Sequence, residues 1–111
     1  MIERTERPMI IGGFRVPVAN VPYAQRNAAA TFLYTKYPEV PFAATYYDTP
    51  KGRKFSLRSN ATTGADVDAI ARKYGTGGGH VHAAGLMMPL NWQGDWMESV
   101  QYIDQYSYKQ R

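Results

Sequence analysis

Four glycines fall within five positions at Gly75, Gly77, Gly78 and Gly79, ending at His80, and they divide two segments of opposite character. Before them, Val67, Ile70, Ala71 and Tyr74 stand at i, i+3, i+4 and i+7, the spacing of one helical face. Asp66 and Asp68 lie in the first turn of this segment and Arg72-Lys73 in the last, as the helix dipole favours. After the glycines, His80-Val81-His82-Ala83-Ala84-Gly85-Leu86-Met87-Met88 turns apolar and reads as a strand. The chain is therefore forced into helix, break, strand, with Gly75 as the residue that ends the helix.

Upstream, Met9-Ile10-Ile11 and Phe14 to Val21 are apolar, β-branched runs separated by Gly12-Gly13, a pair that tolerates the positive φ angles of a tight hairpin. Pro17 cannot donate to a ladder, which predicts a sheet edge or a bulge there. Ala24 to Tyr37 has helical spacing and good helix formers, with Pro38 closing it. Phe42 to Tyr47 and Arg53 to Ser59 predict a second hairpin joined through Asp48-Thr49-Pro50-Lys51-Gly52. Period two places Phe55 and Leu57 on one face of its second strand, and Lys54, Ser56, Arg58 and Asn60 on the other. A final helix is expected over about 95–106, with Trp96, Val100 and Ile103 on one face. Together these predict an α/β fold, a single domain with a mixed central sheet flanked by helices. The charged leader 1–8 reads as a linker or a disordered end, the domain as 9–106, and 107–111 as a polar tail.

At 111 residues the chain has room for one domain, which at this size buries roughly two thirds of its unfolded surface. With no cysteine, disulfide scaffolds, thiolate metal sites and cysteine nucleophiles are excluded, and a reducing, cytoplasmic setting fits. No apolar stretch approaches the ~20 residues of a membrane helix, so no membrane partner is expected. Thirteen Lys+Arg against nine Asp+Glu give a net charge of +4, which suits phosphate-bearing partners without the excess of a duplex binder.

Several residues invite chemistry. Successive glycines before His80 let backbone N–H groups approach an oxyanion closely, although a flexible connection is the plainer alternative. The run matches neither a P-loop nor a dinucleotide fingerprint, because helix precedes glycines. His80 and His82 would share a strand face, but no carboxylate stands nearby to complete a metal site; His80 reads as a phosphate contact and His82 as an ordinary polar residue. Arg58 has the fork that binds phosphate bidentately, yet on spacing alone it sits on a solvated face. Ser56 and Ser59 lack a nucleophile elbow. The carboxylates offer no catalytic pair: Asp66 and Asp68 start a helix, and Glu98 and Asp104 belong to a surface helix. Exposure of Tyr46, Tyr47 and Trp92 would suit a dimerisation surface.

Phe55-Ser56-Leu57-Arg58-Ser59, then Asp66-Val67-Asp68-Ala69-Ile70-Ala71, then Gly77-Gly78-Gly79-His80 with Ala83-Ala84-Gly85 resemble, in order and spacing, the DHH-associated domain of DHH-superfamily phosphoesterases. That superfamily includes RecJ-type exonucleases, oligoribonuclease-like nano-RNases and cyclic-dinucleotide phosphodiesterases, and a related domain occurs in alanyl-tRNA synthetases. Thr76 interrupts the glycine run that is commonly unbroken in the family. The resemblance implies that Arg58, Gly77, Gly78, Gly79 and His80, with Ser56 and Ser59, bind the phosphate and sugar of a terminal nucleotide from a short single-stranded nucleic acid. It further implies a two-metal site, manganese or magnesium, in an N-terminal DHH catalytic domain. This chain has no Asp-His-His triplet, so it is expected to bind and not to hydrolyse. The expected function is that of a substrate-binding C-terminal half, with a stand-alone nucleic-acid-binding module as the alternative.

Overall fold

Gly12 and Gly13 both adopt positive φ, at 64° and 95°, the conformation that a two-residue hairpin turn demands and side chains resist. They join β1 (Arg7–Ile11) to β2 (Phe14–Asn20). The first strand thus begins two residues before Met9. A short 3-10 turn (Tyr23–Gln25) leads into α1 (Arg26–Lys36), and β3 (Ala43–Thr49) and β4 (Gly52–Arg58) follow as an antiparallel hairpin. The remaining elements are α2 (Val67–Arg72), β5 (Gly78–His80) and β6 (Ala83–Met88). The computed structural model describes residues 6–62 and 64–95; of the final helix expected over 95–106 only Asp95 lies within them, and the polar tail lies outside.

The six strands form one sheet in the order β1-β2-β3-β4-β6-β5, with β2 and β3 parallel across the α1 crossover and every other pair antiparallel. The fold is a mixed α/β sheet with its two helices on opposite faces. On one face α1 lays Ala29 and Leu33 over Ala19, Val21 and Ala43. On the other, Val67, Ile70 and Ala71 of α2 pack on Phe55, Leu57, Ala84 and Leu86. The alternation expected for β4 is observed, with Phe55 and Leu57 fully buried.

Three expectations change. Pro17 is neither at an edge nor in a bulge: β2 lies between β1 and β3, and Pro17 stands opposite Pro8, just before the parallel ladder opens at Val18. Its missing donor falls where β3 does not yet demand one. Tyr46 and Trp92 pack inward instead of offering a dimer surface, their rings each 5.3 Å from Phe55. Finally, His80 to Met88 is not one strand, because Val81 and His82 form the turn between β5 and β6.

That last change relocates the glycines. Gly78 and Gly79 are strand residues of β5: Gly78 takes a φ of 154°, and a Cβ at Gly79 would collide with the Ala83 carbonyl oxygen, as one at Gly77 just before the strand would with that of Gly85. Gly75, at φ 76°, takes the left-handed conformation after α2. Tyr74 then ties the end of this helix to the first hairpin. Its hydroxyl accepts from the Gly12 N–H at 2.6 Å and donates to Asp95 Oδ2 at 2.7 Å, and burial followed by the Asp95 carboxylate pushes its ionisation well above the usual phenol range.

Candidate functional site

Among the described residues, α1 covers β2, β3 and part of β4 on its face of the sheet, while β6 and β5 lie open on that face beside the N-terminal end of the helix. Cross-strand registers order the open face into rows. Arg58, Ala83 and His80 form one row, Ser56, Gly85 and Gly78 the next, and Lys54 with Met87 the third. The middle row has no side chain larger than a hydroxymethyl group, so it is a trough. Strands stand about 4.8 Å apart, so the trough crosses roughly 10 Å of sheet. At its β3 end the row continues to Thr45, which is buried.

A cleft of about 240 Å³ follows this trough, floored by Ser56, Gly78 and Gly85 and walled by Tyr23, Arg26 and Asn27 of the 3-10 turn and the start of α1. Lys54 and Arg58 also line it, and no carboxylate does. A Cβ on Gly85 would lie 3.3 Å from Lys54 Nζ, which puts that ammonium over the glycine floor. Arg53 is paired with Asp48 at 2.8 Å and Arg72 with Asp68 at 3.0 Å. Among the described residues Arg26, Lys54 and Arg58 form no ion pair. Three half-buried cations with no internal anion make a site that favours an external one.

The structure brings together three of the residues singled out in the sequence: Arg58, Ser56 and Gly78 line the cleft. His80 stands exposed in the Arg58 row, two strands over and beyond the lining residues. Gly77 and Gly79 shape the edge of the sheet from outside the cleft. The Gly79 N–H, expected to face a phosphate, donates to Asp68 Oδ1 at 2.7 Å. That bond, with the Arg72 guanidinium second, holds the Asp68 carboxyl below the usual carboxylate range. Ser59 lies on the core side and is buried; its hydroxyl donates to the Ala65 carbonyl at 2.7 Å and pairs with His82 Nδ1 at 2.8 Å. With its hydrogen committed to the carbonyl, Ser59 Oγ accepts from a protonated His82 Nδ1. His82 is thereby a clasp between the end of β4 and the β5–β6 turn.

Sequence reasoning missed the wall. Arg26 stacks over the Tyr23 ring at 3.7 Å and donates to the Tyr23 carbonyl at 2.9 Å, while Tyr47 meets the same ring edge-on at 5.7 Å. Nothing local marks these residues, because their position depends on how the α1 crossover docks. No three His, Asp or Glu side chains among the described residues converge as metal ligands. No described helix is long and apolar enough to cross a membrane.

No protein-family model and no curated protein matches the chain. Among solved structures it is similar to an uncharacterized protein from Helicobacter pylori G27, at 20% sequence identity and a TM-score of 0.57 over 83% of this chain. The chain spans 25% of the length of that protein, and the likeness is one of fold.

Proposed function

We propose that this chain is the substrate-binding domain of a metal-dependent DHH-type phosphoesterase, and that the trough receives the phosphate and sugar at the end of a short single-stranded nucleic acid. The observation that supports it most is the cleft lined by Arg26, Lys54 and Arg58 over a Ser56–Gly85–Gly78 floor, without a carboxylate. The floor lets a phosphate approach the sheet, Arg58 offers two parallel N–H donors, and Lys54 a mobile point charge. Ser56 supplies a hydroxyl, and His80 a rim donor for the sugar side. Gly77, Gly79 and Ser59 serve by holding β5 and the end of β4 in place. Hydrolysis itself belongs to an N-terminal DHH domain with manganese or magnesium, and the enzyme is placed in the reducing cytoplasm on the cysteine-free composition.

Affinity for a 5′-phosphorylated dinucleotide, measured calorimetrically in EDTA, tests it. A hydrogen bond to a charged group contributes about 1.5–3 kcal/mol, so Arg58→Ala should weaken binding at least tenfold and abolish the preference over the unphosphorylated dinucleotide. Binding that ignores the end phosphate and survives Arg58→Ala would favour the stand-alone nucleic-acid module instead.

A further inference from the structure

The wall of the cleft differs in kind from its floor. Tyr23 is 54% exposed, the most exposed large hydrophobic side chain among the described residues, yet it has two close partners. Arg26 sets its guanidinium carbon 3.7 Å over the ring and bonds to the Tyr23 carbonyl, and Tyr47 abuts the ring's edge. A cation–aromatic pair of this kind at the mouth of a polar cleft is a platform for a third flat group. Beside it Asn27 carries a side-chain amide, which both donates and accepts, and it lines the same cleft.

We propose that the Tyr23–Arg26 pair stacks the nucleobase of the terminal nucleotide, with Asn27 bonding to the base edge, so that the cleft is a one-nucleotide site. The inference rests on the phosphate reading of the trough and adds the base to it. The cleft of about 240 Å³ falls just below the roughly 300–1,000 Å³ of drug-sized pockets, so a single nucleotide end would fill it. Charge agrees as well, since an aromatic wall lined by arginine stacks any base, whereas the trough takes only the anion. The site therefore selects for a phosphate joined to a base, with little preference among bases beyond what Asn27 imposes.

Adenosine 5′-monophosphate, ribose 5-phosphate and inorganic phosphate are the probes, titrated by NMR into the unaltered chain and into Tyr23→Ala, Tyr23→Phe and Arg58→Ala. Base stacking adds about 1–3 kcal/mol, so the nucleotide should bind about tenfold or more tighter than ribose 5-phosphate. Tyr23→Ala should erase that difference while leaving ribose 5-phosphate binding intact, and Tyr23→Phe should keep it. Tyr23 is exposed at the surface, so well-dispersed amide spectra from these variants will show that the fold persists. Equal affinity for nucleotide and sugar phosphate, or a difference that survives Tyr23→Ala, overturns the base site alone. Sugar phosphate binding that Arg58→Ala leaves unchanged, or no binding of any probe at millimolar concentration, overturns the phosphate reading and the base site with it.

Discussion

Ser56 and Ser59 stand three residues apart and do opposite things. The two-residue period of β4 turns Ser56 toward the open trough and Ser59 toward the core, where its hydroxyl is held by Ala65 and His82. Ser59→Ala should therefore lower stability in chemical denaturation by about 0.5–1.5 kcal/mol, because two half-buried partners lose their bond, while leaving nucleotide affinity within twofold. Ser56→Leu should do the reverse, filling the trough and abolishing binding with the denaturation midpoint little changed. The alternation that separates them is legible in Phe55-Ser56-Leu57-Arg58. The His82 clasp is not, since Val81-His82 carries none of the glycine or asparagine that marks a tight turn, and the run from His80 to Met88 looks continuous.

At the level of elements, the helix before the glycines and both early hairpins follow from spacing, because a 3.6-residue stripe and a Gly-Gly pair are local signals. What those elements do to each other is nonlocal. The glycine run invites a phosphate loop, yet the folded chain lays Gly78 and Gly79 against β6 and gives the Gly79 N–H to Asp68 on α2. Asp68 also caps the exposed edge of the sheet, where an unpaired N–H would otherwise invite another strand. The sign of its titration follows from its lowered pKa. A depressed carboxyl stabilises the folded state above its unfolded value of about 3.9 and loses that contribution as pH falls through the lower folded value. The Gly79 amide resonance should thus hold steady from neutral pH down to about 4 and shift only below it; a midpoint at or above an ordinary aspartate would remove Asp68 as its partner. Asp68→Asn should flatten that transition.

For the molecule as a whole, the two described helices lie on opposite faces and, among the described residues, leave part of one face open to a ligand. The mixed α/β sheet and single domain are legible in the sequence, and the period of β4 already puts Ser56 and Arg58 on the face that the cleft uses. Arg26 and Lys54 are not, because a basic residue on a strand or helix face reads as solvated until the topology shows which acids are out of reach. An amide-shift map of this chain with a 5′-phosphorylated dinucleotide and its unphosphorylated twin tests the central claim most directly. The account predicts shifts centred on Ser56, Arg58, Gly78 and Gly85, present only with the phosphate, and extending to Tyr23 and Arg26. Shifts that are the same for both ligands, or that gather on the α2 face of the sheet, would contradict it.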